Sequence, residues 1–96
     1  MPREILALAV IKVHDGKEQE LLEVLHDFYA LLRTMNYSRD TLYRDAGSGR
    51  FLNLRYWSSE EARDAAHEDP NVHRFWRRLA EICEIEHVYE KLEQVT

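Results

Sequence analysis

Cysteine is nearly absent from this sequence. Cys83 stands alone, so no internal disulfide can form, and its place on the apolar stripe of a helix marks a buried, inert thiol that suits a reducing cytoplasm. Basic charge is scarce beside acidic: the formal net charge is −5, and the one basic cluster, Arg74, Arg77 and Arg78, is interrupted by Phe75 and Trp76. That balance argues against a nucleic-acid partner. Long hydrophobic runs are missing. Ile5 to Ile11 is too short to span a bilayer and no small-residue cleavage site follows it, so neither a membrane nor an export route is expected. Metal-ligand spacings are missing too: no C-x-x-C, H-x-x-x-H or H-E-x-x-H occurs, and Pro70 separates His67 from His73, so no metal site is expected. With three glycines and two prolines, the chain has no low-complexity tract or long linker and reads as a single domain over residues 1–96.

What is present is an apolar fraction of 45% beside 32% charged residues, the balance of one compact domain. A chain this small buries only roughly 60 to 65% of the surface that its unfolded form exposes, which makes a core shared with a partner subunit attractive.

Ile5 to Val13 is apolar on both alternating sets, a strand with two buried faces. In HDGKEQELL, Asp15 is the expected N-cap of a helix, with Glu18 reaching back to it. Leu21, Leu25, Phe28, Leu32 and Met35 then recur at steps of four and three. Thr41 to Asp45 and Phe51 to Trp57 read as a hairpin around AGSG, with Gly47 and Gly49 permitting the turn. Ser58 and Glu61 predict the start of a short helix, Asp69-Pro70 ends it and opens another, and Ile85 to Leu92 has the charge of an edge strand.

This order predicts an α+β fold, a ferredoxin-like βαββααβ arrangement with the helices on one face of a four-stranded antiparallel sheet. The first strand is apolar on both sides, and the third adds Leu52, Leu54 and Tyr56 to the side away from the helices. A homodimer closing through the sheet face opposite the helices would cover that surface. The other parity of the third strand sends Phe51, Asn53, Arg55 and Trp57 toward the subunit's own helices, where Ala7, Ala9, Ala62, Ala65 and Ala66 are small. Small walls beside a polar residue and a Trp predict a cavity.

The segment RYWSSEEARDAAHEDPNVHRFW, with Trp57, Glu61-Ala62, Pro70 and Phe75 at the expected offsets, resembles the signature of the antibiotic biosynthesis monooxygenase family of dimeric α/β barrels. The resemblance implies oxidation of a polyphenol by O₂ without metal, flavin or other cofactor, with a strand Trp and an Asn four residues before it beside the substrate; Trp57 and Asn53 match that spacing. Two places depart from the pattern. TMNYS replaces the usual E-P-G-C-like turn, and the position of the short-helix His is Ala66, with His67 displaced by one. The haem-degrading branch of the fold relies on an Asn, a Trp and a His whose places here hold Ala9, Ala66 and Trp76, so that triad is absent.

The expected function is a cofactor-independent monooxygenase acting on a small aromatic or polyphenolic compound; the alternative is a non-catalytic small-ligand-binding dimer. Asn53 would donate its amide to a substrate oxygen as charge develops, Trp57 would flank the substrate, and His73, near Trp76, is the candidate base. Candidate substrate-binding residues are Arg55, which would hold a phenolate unless it pairs with Glu60 or Glu61, the aromatic walls Phe28, Tyr29 and Trp76, and His87. His14, His26 and His67 read as solvated side chains.

Overall fold

The structure, a computed structural model, describes residues 4–96. The elements run β1 (Ile5–Val13), α1 (Glu18–Thr34), β2 (Ser38–Arg44), β3 (Phe51–Trp57), α2 (Glu60–Glu68), α3 (Pro70–Ile82) and β4 (Cys83–Leu92). The strands form one antiparallel sheet in the order β2-β3-β1-β4, so the most apolar strand, β1, is flanked on both sides. This is the α+β, ferredoxin-like arrangement expected from the sequence.

The helices pack on one sheet face through Leu21, Leu25, Phe28 and Leu32 of α1 and Val72, Leu79 and Ile82 of α3, all buried. Phe28 stacks on Phe75 with ring centroids 4.9 Å apart, which locks α1 to α3. Cys83 is buried where α3 passes into β4, and burial pushes its thiol pKa up, in keeping with an inert role.

Several local expectations shift. Asp15 does not cap α1: Gly16 takes φ of 75° in a turn, and the N-cap is Lys17, whose side chain makes no capping bond. The cap of α2 is Ser59, which accepts from the Ala62 N–H at 3.0 Å, while Ser58 donates to the Asn36 carbonyl. Asp69 and Pro70 open α3 as expected, Asp69 accepting from the Asn71 N–H at 2.8 Å. The TMNYS turn closes α1 with Asn36 at φ 58°: the N–H of Asn36 donates to Arg33 and that of Tyr37 to Leu32, which satisfies the last carbonyls of the helix.

β2 begins at Ser38, three residues before the expected Thr41, because Ser38 and Asp40 point inward and pair with each other. β4 is paired to β1 with irregularities between Leu6 and Leu8 and between Val10 and Ile11. Each irregularity resets which side chains share a face. Residues paired directly across antiparallel strands lie on one face, so His87, opposite Val10, and Tyr89, opposite Leu8, join the face away from the helices. That face also carries Leu52, Leu54 and Tyr56 of β3.

Candidate active site

Strand alternation carries the site. On β3 the residues Phe51, Asn53 and Trp57 are buried, with 5% exposure for Asn53 and 4% for Trp57, and they point with Arg55 toward the helices. Opposite them on β1 are Ala9 and Ala7, whose methyl groups leave the space between sheet and helices unfilled. The result is a cavity of about 490 Å³ walled by Ala7, Ala9, Phe28, Trp57 and Trp76, with Asn53 and Arg55 on its sheet side. Its rim carries Asp64, His67 and Glu90, all exposed. Trp57 is one wall of this hollow and does not fill it.

The polar side of the cavity is a chain of hydrogen bonds from three elements, α1, β2 and β3. The Tyr29 hydroxyl donates to Asn53 Oδ1 at 2.7 Å. Asn53 Nδ2 donates to Asp40 Oδ2 at 3.1 Å, and Arg55 Nε donates to the same oxygen at 2.7 Å. Ser38 Oγ donates to Asp40 Oδ1 at 2.9 Å. A carboxylate only accepts, so the Asn53 amide nitrogen must face Asp40 and its oxygen must face Tyr29. The amide is therefore held in one orientation with a single N–H left over. Burial, and then the nearby Asp40 charge, hold the Tyr29 phenol well above its ordinary pKa, so Tyr29 is a neutral donor.

Arg55 lies over the rings of Phe28 and Trp57, 4.9 and 5.3 Å from their centroids. Its partner is Asp40, whose side chain has 0% exposure, and not Glu60 or Glu61. Buried arginines need a counter-charge, and the nearest strand supplies it.

His67 is exposed, as expected, but it is not remote from the site. It lines the cavity, with its ring 5.8 Å from Trp57 and 5.4 Å from Trp76, edge-on to both. Ala66 is fully buried in the core instead, so α2 turns Arg63, Asp64 and His67 to the cavity, where the alanines were expected to form the wall. His73 is outside the lining: it stacks on Trp76 at 5.6 Å, and its Nε2 meets the His67 carbonyl. His87 is outside too, packed against Tyr89 on the opposite sheet face. Tyr29 touches the cavity only through Asn53. Of the expected site residues, the fold thus gathers Asn53, Trp57, Arg55, Phe28 and Trp76 around one space.

Sequence reasoning passed over Asp40 and Ser38, because a Ser-Arg-Asp triplet after a helix reads as loop. The signal for His67 was its offset from Trp57, which α2 converts into proximity. No group of three or more metal-ligating side chains occurs among the described residues, and none of the described helices is long and apolar enough to cross a membrane.

Residues 4–78 match the model of the family described as antibiotic biosynthesis monooxygenase. No curated protein sequence matches the chain. Among solved structures, similarity extends to SnoaB, a cofactor-independent oxygenase from Streptomyces nogalater, at 18% identity and TM-score 0.79 with 97% of each chain covered. An Asn-to-Ala variant of SnoaB superposes with TM-score 0.81 at 17% identity, again covering 97% of each chain. PA3566 from Pseudomonas aeruginosa is similar at 19% identity and TM-score 0.75, covering 100% of this chain and 98% of its own.

Proposed function

Because this chain belongs to the antibiotic biosynthesis monooxygenase family, we propose that its cavity oxidises a small aromatic or polyphenolic compound with O₂, the substrate itself serving as reductant. The observation that carries this reading is the Asn53 amide, locked by Tyr29 and Asp40 on a wall of the cavity that Trp57 also lines. A quinol- or anthrone-like ring needs three services from the protein: desolvation, loss of a proton, and stabilisation of the resulting oxyanion.

Trp57, Trp76 and Phe28 exclude water around a planar ring. The free N–H of Asn53 stabilises the substrate oxygen as it becomes negative. His67, rather than His73, supplies the base, since its imidazole lines the cavity between the two tryptophans. The substrate anion then reduces O₂. One oxygen atom is bonded to the substrate carbon, which becomes a carbonyl as the substrate gives up two hydrogens, both from the CH₂ of an anthrone, or one from the ring C–H and one from the hydroxyl of a phenolic ring; the other oxygen leaves with those hydrogens as water.

The second expectation is assembly. The sheet face opposite the helices carries Leu6, Leu8, Val10, Leu52, Leu54 and Tyr56, and at its margins Tyr43 and Tyr89 are 57% and 49% exposed. A second copy of this chain is the occupant we propose, because a two-fold pair buries the same apolar strip on both partners, with Arg39, which lies over Tyr56 and pairs with Glu4, at its edge. A reducing cytoplasm remains the proposed compartment, on the strength of the lone buried Cys83.

The test is turnover by Asn53→Ala. Loss of one preorganised donor is expected to lower turnover about 10²-fold. Unchanged turnover in a folded Asn53→Ala protein removes Asn53 from the chemistry.

A further inference from the structure

The cavity holds a cation whose donors are mostly unspent. Arg55 engages Asp40 through Nε alone, and among the described residues neither Nη group has a hydrogen-bond partner. The side chain is 15% exposed and lines the cavity. Its plane is braced by Phe28 and Trp57, and Asp40 anchors its inner edge. Asp40 is itself tied by Ser38 and Asn53, so the guanidinium is held before any ligand arrives. What remains for a ligand is the outer pair of Nη groups, a flat two-donor fork in a space whose inner walls are mainly aromatic and aliphatic. A fork of that kind matches a group with two coplanar acceptor oxygens.

We propose that Arg55 is the specificity-determining residue of the cavity and that it selects planar aromatic acids, its Nη groups binding a carboxylate on the ring. This deepens the oxygenase reading and takes from it only the aromatic nature of the substrate. Asp40 is the positioning residue: it fixes both the Arg55 fork and the Asn53 amide through one oxygen, so carboxylate capture and oxyanion stabilisation keep a fixed separation. The other cation of the wall, Arg63, has a side chain 27% exposed against 15% for Arg55 and sits 3.9 Å from the exposed Asp64. The acidic rim residues Asp64 and Glu90 oppose an anion at the mouth, so the carboxylate must seat deep, against Arg55.

The test is equilibrium binding, read by quenching of tryptophan fluorescence, with anthracene-2-carboxylate against anthracene-2-carboxamide. Neither probe requires turnover. The wild-type chain is expected to prefer the carboxylate by about tenfold or more, the scale of a charge-assisted bidentate contact. Arg55→Gln leaves Asp40 buried without its cation, so the paired variant Asp40→Asn with Arg55→Gln is measured as well. Both are expected to bind the two probes equally, while Arg63→Gln keeps the preference. The proposal is overturned if the wild type binds the probes equally or binds neither, if the preference survives in the paired variant, or if Arg63→Gln is the change that abolishes it. Carboxylate preference without O₂ uptake on any ring removes the oxygenase reading and leaves the Arg55 assignment standing; uptake without preference does the reverse.

Discussion

Arg55 and Asp40 form a 2.7 Å ion pair beneath the cavity, the carboxylate wholly withdrawn from solvent and the guanidinium nearly so. Such a pair offsets a large desolvation cost only while both members are present. In this fold it also sets the amide of Asn53, because one carboxylate oxygen serves both donors.

Asp40→Ala strands the Arg55 charge and frees Asn53 to turn over. Urea unfolding is expected to show a loss of about 3 kcal/mol. A loss below about 1 kcal/mol, the range of exposed pairs, means that the pair is solvated in solution.

Tyr37 ties the start of β2 to the α2–α3 corner by donating to Asp69 Oδ2 at 2.8 Å. That hydrogen bond, with the N–H of Asn71, holds the Asp69 carboxyl below its usual range, and the same contact raises the Tyr37 phenol. A lowered carboxyl pKa contributes stability that is present above the unfolded value, about 3.9, and lost as pH falls through the folded one. The raised phenol contributes below its unfolded value, about 10, and ceases to do so as pH rises through its folded one. Melting temperatures of the wild type and Tyr37→Phe should therefore differ at neutral pH and converge at both extremes. A constant difference across the range contradicts the linkage.

His67 and His73 are both next to Trp76, but only His67 reaches the cavity. His67→Ala is expected to lower turnover by about 10²-fold, the scale of a general base, with His73→Ala close to wild type. The opposite ranking in steady-state rates transfers the proton step to His73.

Leu54 lies near the centre of the apolar sheet face, paired across to Leu8 and Thr41. Leu54→Asp puts a charge on each side of the proposed two-fold interface. Sedimentation at micromolar concentration should give a dimer for the wild type and a monomer for the variant; a stable wild-type monomer defeats the assembly.

The fold was legible in the sequence wherever apolar periodicity was strong. β1, from Ile5 to Val13, and β3, from Phe51 to Trp57, run between the residues that their patterns mark, and the parity of β3 placed Asn53 and Trp57 on the helix side. The rest was hidden for identifiable reasons. Asp40 is a polar letter in a polar stretch, and nothing local reveals that it will be buried against Arg55. His87 alternates correctly with Tyr89 along β4, yet the register shifts opposite β1 turn it away from the cavity. His67 lies one position from the buried Ala66, and a turn of about 100° per residue separates a core side chain from a cavity wall.

Oxygen uptake by the purified protein with a hydroxylated anthrone, without added metal or flavin and corrected for spontaneous oxidation, tests the central claim most directly. One O₂ should be consumed per quinone formed, with one labelled atom from ¹⁸O₂ in the new carbonyl, at a rate that falls about 10²-fold in Asn53→Ala. Uptake no faster than the spontaneous rate across anthrones and quinols, while the same compounds quench the tryptophan fluorescence, would make the cavity a binding site without chemistry.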